Sequence, residues 1–92
     1  MASKRKLKKI MQFISSELIT DVFFKTLMSG KEATEKADLL VVEISQFTRE
    51  HINRIGRNGG KENPKEVKEY YRKLYTDWNN GIEKYIDEIG KL

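Results

Sequence analysis

The 92-residue sequence predicts an all-α fold, an up-down-up bundle of three long helices over about residues 3–29, 31–56 and 64–89. Apolar residues recur at intervals of three and four through these stretches, which is the period of an amphipathic helix. The single proline and the scattered glycines suit long helices better than many short strands. A chain of this length buries one modest core, so we expect residues 1–92 to form one domain, with residues 1–5 as a candidate disordered basic arm.

The first predicted helix is apolar on more than one face. Its main stripe includes Leu7, Ile10, Met11, Ile14, Leu18, Val22, Leu27 and Met28. A second group widens the apolar surface beyond this stripe and consists of Phe13, Ile19, Phe23 and Phe24. Two neighbouring helices cover only part of a helix's circumference, so we expect this group to pair with a second copy or with another protein. The alternative is a central first helix that its neighbours cover completely.

The second predicted helix carries one apolar stripe, formed by Ala37, Leu40, Val41, Ile44, Phe47, His51, Ile52 and Ile55. The run over residues 39–42 would fit a buried strand, but the flanking helical pattern is too long for that interpretation. His51, the single histidine, lies on this stripe. We expect a histidine at the edge of the core with a hydrogen-bond partner, rather than a catalytic base or a ligand.

The third predicted helix begins with the strongest start signal in the chain, because Asn63, Pro64 and Glu66 suit the N-cap, N1 and N3 positions. The preceding segment, residues 57–62, is the clearest predicted loop. Asn79-Asn80-Gly81 is a possible break, yet the apolar spacing continues through it and favours one helix. Tyr71, Trp78 and Tyr85 follow the predicted buried stripe, whereas Tyr70 and Tyr75 lie off it. We expect these two to pack along a seam of the bundle, and the alternative is stacking on bases or on a partner.

Basic residues are concentrated in two segments of the chain. The formal charge is +5 over residues 1–9, −3 over 10–48, +4 over 49–73 and −2 over 74–92. In an up-down-up bundle the two basic segments meet at one end, which we call the basic pole, with about +9 charges. Helix dipoles disfavour cations at helix starts, so the dipoles do not explain this pole. Three explanations of the pole remain open. It is a solvated surface that favours solubility, it binds an anion or nucleic acid, or it contacts a membrane surface.

The candidate anion-binding residues are the cations of both segments, namely Lys4, Arg5, Lys6, Lys8, Lys9, Arg54, Arg57, Lys61, Lys65, Lys68 and Arg72. A helix-turn-helix motif uses shorter helices joined by a tight turn. Any contact with nucleic acid would therefore be made by the basic pole rather than by a recognition helix. Four acids, Glu50, Glu62, Glu66 and Glu69, dilute the positive charge.

The residue pattern offers no catalytic constellation, so we expect no enzymatic activity, no cofactor, no metal and no small-molecule substrate. The absence of cysteine excludes a disulfide scaffold and a cysteine-ligated zinc site. Glu17 and Asp21 form a carboxylate pair without a third ligand. They also interrupt the apolar run over residues 10–28, which argues against a signal peptide and a transmembrane helix. We expect a cytoplasmic protein.

Two stretches of the chain resemble an uncharacterised family of small all-helical proteins from Bacteroidetes. One is Lys-Arg-Lys-Leu-Lys-Lys-Ile over residues 4–10, continued by Ile-Ser-Ser-Glu-Leu over 14–18. The other is Tyr-Tyr-Arg-Lys-Leu over residues 70–74, followed by Trp78-Asn79 and isoleucines at 82, 86 and 89. The resemblance implies a helical fold and a bacterial cytoplasmic setting, and it carries no functional residues. The function we expect is a non-enzymatic interaction module that self-associates through its first helix, with nucleic-acid or polyanion binding as the alternative.

Overall fold

The computed structural model describes residues 4–29, 31–55 and 63–92, and it confirms the all-α three-helix bundle. Helix α1 spans Lys4–Ser29, α2 spans Lys31–Ile55 and α3 spans Pro64–Gly90. The bundle is elongated, with dimensions of 52 × 19 × 16 Å. Lys4 and Arg5, the last two residues of the candidate arm, belong to α1. Residues 1–3 and the predicted loop 57–62 lie outside the described residues.

The start of α3 follows the predicted capping pattern. Asn63 has an extended backbone, with φ −72° and ψ 120°, and its side chain accepts a hydrogen bond from the Lys65 amide at 2.9 Å. Pro64 occupies the first turn, where a missing N–H leaves no hydrogen bond unmade. These two residues fix where α3 begins and therefore set its register against the other helices.

The core consists of two clusters stacked along the bundle axis. The upper cluster contains Leu18, Val22, Ala37, Leu40, Ile44, Tyr85 and Ile89. The lower cluster contains Leu7, Met11, Ile55, Leu74 and Trp78. The lower cluster joins the start of α1, the end of α2 and the first half of α3. The helices therefore run up, down and up, and the two basic segments lie at the same pole.

The two pairs of sequential helices pack differently. Helices α1 and α2 approach each other most closely, and the buried Ser15 and Thr48 line one depression between them. The Thr48 hydroxyl donates to the Ile44 carbonyl at 2.8 Å, so this buried polar group is satisfied. Helices α2 and α3 are instead separated by aromatic rings. The Phe47 ring stacks on Trp78 with centroids 5.2 Å apart and meets Tyr85 edge-on at 5.3 Å.

Helix α3 continues through Asn79-Asn80-Gly81 without a break. Gly81 faces Phe47, and a Cβ atom at this position would overlap the Phe47 ring. The glycine therefore provides the notch into which α2 inserts its aromatic ring. The predicted continuous helix is confirmed, and the structure supplies the physical reason for a residue that helices otherwise disfavour.

Candidate functional site

The most exposed apolar surface lies on the side of α1 that faces away from the core. Counting about 100° per residue, Phe13, Phe24 and Leu27 lie within about 40° of the direction opposite the buried Met11. Phe13 is 65% exposed, Phe24 is 62% exposed and Leu27 is 82% exposed. We define the outer face of α1 as the exposed apolar residues on this side and its flanks, which are Ile10, Phe13, Phe23, Phe24, Leu27 and Met28.

The outer face of α1 is divided into two apolar patches by polar residues. Ile10 and Phe13 form the patch near the N-terminal end, and the other four members form the patch near the C-terminal end. Ser16, Glu17 and Thr20 lie between the patches and are exposed. Phe13 and Phe24 are eleven residues apart, which separates them by about 16 Å along the helix.

The outer face differs from the predicted one at four positions. Ile19 was assigned to it, but Ile19 is half-buried and packs against the upper core cluster. Ile10, Leu27 and Met28 were assigned to the main buried stripe, but they are exposed. Leu27 lies five positions after Val22, so its side chain is rotated by about 140° around the helix axis relative to that of Val22. Spacing measured from Val22 therefore indicates that Leu27 leaves the buried stripe.

The basic pole comprises the described residues 4–9, 49–55 and 63–73, which include eleven basic and three acidic residues, a net formal charge of +8. Most of its cations are exposed to solvent. The remaining described residues with placed side chains include four basic and nine acidic ones, so the rest of the bundle is negative. The molecule is therefore strongly polarised along its long axis. The candidate residues Arg57 and Lys61 lie outside the described residues.

Arg54 differs from the other candidate cations because it is engaged inside the bundle. Its Nη1 atom lies 3.1 Å from the Asp77 carboxylate and 3.5 Å from the Nε2 atom of His51. The guanidinium thus links α2 to α3 and has a structural role. The expectation that Arg54 is an anion-binding residue is not supported by its position.

Three of the candidate cations form a stripe along one side of α3. Lys65, Lys68 and Arg72 are exposed and succeed one another at intervals of three and four residues. Lys68 and Arg72 border a shallow open depression that is also lined by Tyr71, Tyr75, Thr76 and Asn79. The carboxylates of Glu66 and Asp77 lie on the other side of the helix, at least about 140° from the middle of this stripe, whereas the exposed Glu69 lies on its flank, about 80° from the middle. We call Lys65, Lys68, Arg72 and Tyr75 the α3 stripe.

Two tyrosines of α3 donate hydrogen bonds to backbone carbonyls at the end of α2. The Tyr70 hydroxyl donates to the Arg54 carbonyl at 2.7 Å, and the Tyr71 hydroxyl donates to the Ile55 carbonyl at 2.9 Å. The last carbonyls of a helix have no partner within the helix, so these bonds hold the end of α2 against α3. Burial raises the pKa of the Tyr71 phenol, which keeps the donor protonated. Tyr70 is thus a structural residue rather than an exposed stacking residue, and only Tyr75 is well exposed.

His51 is a core-edge histidine, as predicted. It is 5% exposed, and its Nδ1–H group donates a hydrogen bond to the Phe47 carbonyl at 2.8 Å. Its ring packs on Phe47 with centroids 4.1 Å apart. The Nε2 atom faces the Arg54 guanidinium, which only donates. Both ring nitrogens are therefore occupied by groups of the bundle.

Glu17 and Asp21 are both exposed on α1. Across residues 4–29, 31–55 and 63–92, no group of three histidine, cysteine, aspartate or glutamate side chains is placed to hold a metal ion. None of the helices in these ranges combines the length and apolarity that crossing a membrane requires.

Comparison with known proteins gives no relative for this chain. No protein-family model, curated protein or solved structure matches it. The resemblance to small helical proteins from Bacteroidetes therefore stays an expectation from the sequence.

Proposed function

We propose that this protein is a non-enzymatic interaction module that forms a homodimer through the outer face of α1. The observation that carries the proposal is the exposure of Phe13, Phe24 and Leu27 opposite the core. These residues do not stabilise the monomer. Their exposure to water is unfavourable, and burial against a partner would remove that unfavourable contact. Isolated exposed apolar residues are ordinary, but this set occupies one side of one helix.

The size of the outer face suits a dimer interface. A large apolar residue exposes about 200 Å² in full, so the fractions exposed by the six residues correspond to roughly 800 Å². This upper limit is similar to the area that each partner contributes to a standard protein interface, about 800 Å². The face is therefore large enough for specific self-association without any rearrangement of the bundle.

Charge favours an antiparallel arrangement of the two α1 helices. A parallel pair would bring the two segments 4–9 together, each with a formal charge of +5. An antiparallel pair places the basic pole of each copy beside the acidic half of the other. It also places Phe13 of each copy opposite Phe24 of the other copy, because a two-fold axis relates the two chains.

Sedimentation equilibrium of the wild-type protein tests the proposal over about 1 to 500 μM. We expect the mass to rise with concentration from 10.8 kDa towards twice that value. The variant Phe24→Ser/Leu27→Ser should remain monomeric with an unchanged far-UV circular dichroism spectrum. A matched control is Leu39→Ser/Val42→Ser, which replaces two exposed apolar residues of α2 and should dimerise like the wild type.

A wild-type mass of one chain at every concentration contradicts the proposal, as does equal loss of assembly in both double variants. The absence of cysteine allows a test of orientation by spin labels on Lys9→Cys. With Phe13 opposite Phe24, the two labels lie about 28 Å apart along the helices. A parallel dimer would place them side by side.

A further inference from the structure

We infer that the α3 stripe binds single-stranded nucleic acid, with Lys65, Lys68 and Arg72 contacting phosphates and the Tyr75 ring stacking on a base. This inference concerns a different surface from the outer face of α1 and does not depend on self-association. It rests on two features of the stripe, which are three exposed cations that form no ion pair with the described residues and one exposed aromatic ring.

The three cations of the stripe lack carboxylate partners among the residues that the structure describes. Within the part of the chain that the structure describes, Lys65, Lys68 and Arg72 form no ion pair. Asp77 is already paired with Arg54 at 3.1 Å on the side of α3 that faces α2. Lys65 also lies in the first turn of α3, where the helix dipole disfavours a cation. An incoming anion would relieve both the mutual repulsion of the three cations and the unfavourable position of Lys65.

The neighbouring start of α1 extends the positive surface. Leu7 and Met11 of α1 share the lower core cluster with Leu74, and Tyr71 packs against the same cluster. This packing brings the basic first turns of α1 to the pole at which the stripe lies. A phosphate chain that follows the stripe therefore has the cations of α1 on one side.

Tyr75 is the feature that favours a single strand. Its ring is 41% exposed and lines the same depression as Lys68 and Arg72. An aromatic ring beside cations that follow the backbone is the arrangement by which proteins bind unpaired bases without sequence preference. In a duplex the bases are paired and stacked, so they are not available to the Tyr75 ring. Duplex DNA is therefore a poorer ligand.

The distribution of apolar residues disfavours a membrane surface as the ligand. An interfacial helix carries its cations and its large apolar residues along one continuous face. Here the largest exposed apolar patch contains Phe23, Phe24, Leu27 and Met28 at the acidic end of α1, far from the α3 stripe. Apart from Tyr75, the depression has no large exposed apolar side chain that would insert into lipid.

Fluorescence anisotropy of labelled oligo(dT) and oligo(U) of about 20 nucleotides tests the inference at about 50 and 200 mM salt. Three phosphate contacts predict an affinity that falls about 20-fold between these salt concentrations. The variant Lys68→Gln/Arg72→Gln should reduce the slope of log affinity against log salt by about 1.4. The control Lys25→Gln/Lys36→Gln removes the same charge from exposed positions outside the pole and should leave that slope unchanged.

The stacking residue is tested separately. Tyr75→Ala should weaken binding about fivefold or more, whereas Tyr75→Phe keeps the ring and should bind like the wild type. Ile86→Ala is a control for an exposed apolar residue of the same helix at the other pole. Urea midpoints of all variants should match the wild type, because each substituted side chain is exposed.

Several results would overturn the inference. They are no binding at the lower salt, an equal loss in both charge variants, and an unchanged affinity in Tyr75→Ala. Equal or tighter binding to a duplex of the same length would contradict the choice of a single strand. Binding to phosphatidylserine vesicles without binding to either oligonucleotide would assign the stripe to membranes instead.

Discussion

Helices α1 and α3 have similar lengths but distribute their apolar residues differently. The large apolar residues of α3 lie almost entirely on the side that faces the core, where Leu74, Trp78, Tyr85 and Ile89 are buried. Helix α1 buries a comparable stripe and also exposes six large apolar residues away from it. The packing of the monomer therefore explains the sequence of α3 and only half of the sequence of α1.

This difference shows how to distinguish residues that stabilise a small bundle from residues that serve an interaction. A core residue of α3 loses many contacts when it is truncated, whereas a residue on the outer face of α1 loses almost none. Stability measurements on variants of the two helices therefore distinguish the two kinds of residue.

Leu74→Ala should lower the free energy of unfolding by about 3 kcal/mol, because Leu74 is 0% exposed and its truncation leaves a cavity. Phe24→Ala removes a larger side chain but should change the stability of the monomer by less than about 0.5 kcal/mol. Urea unfolding at a low protein concentration measures both values. Similar losses in the two variants would contradict the assignment of Phe24 to an outer face.

Gly81→Ala should destabilise the protein by about 1–3 kcal/mol, since the new methyl group overlaps the Phe47 ring. Gly90→Ala is the matched control in the same helix, because a Cβ atom there meets nothing within 4 Å. It should be neutral or stabilise by up to about 1 kcal/mol. Thermal unfolding of the two variants separates the packing cost from helix propensity. A stabilised Gly81→Ala variant would contradict the close approach of the Phe47 ring to Gly81.

Tyr71→Phe should cost about 1 kcal/mol, because the Ile55 carbonyl loses its donor while the ring remains. Tyr70→Phe should have a similar effect through the Arg54 carbonyl. Tyr75→Phe is the control, since its hydroxyl has no partner among the described residues. Amide hydrogen exchange near Ile55 should rise in the first two variants alone. Unchanged exchange would exclude a role of these hydroxyls in holding the end of α2.

The smallest effect is expected at alkaline pH. Burial raises the pKa of the Tyr85 phenol above 10.0, with nearby Glu43 as a further cause. Above about pH 10 the unfolded chain therefore loses this proton while the folded protein keeps it, so stability falls as pH rises. Tyr85→Phe removes this contribution. Its unfolding free energy should decline less steeply than that of the wild type between about pH 9 and 11, and an equal decline would contradict the prediction.

Much of the fold was predictable because local signals agreed with one another. Asn63 and Pro64 define the start of α3, and the spacing of apolar residues predicted all three helices. Phe13, Phe23 and Phe24 were also correctly expected to lie outside the main core stripe. The roles of Tyr70 and Arg54 were not predictable, because their partners are distant in sequence. Tyr70, for example, donates to a carbonyl sixteen residues earlier.

The helix count, the up-down-up order and the meeting of two basic segments at one pole follow from the sequence alone, because helical period, caps and connection lengths act locally. Only the packing of the helices shows which apolar residues of α1 face water and why α3 keeps a glycine in its second half. It also distinguishes the structural cation Arg54 from Lys68 and Arg72, which form no ion pair with the described residues. These outcomes depend on which side chains meet across helices, and a one-dimensional pattern does not contain that information.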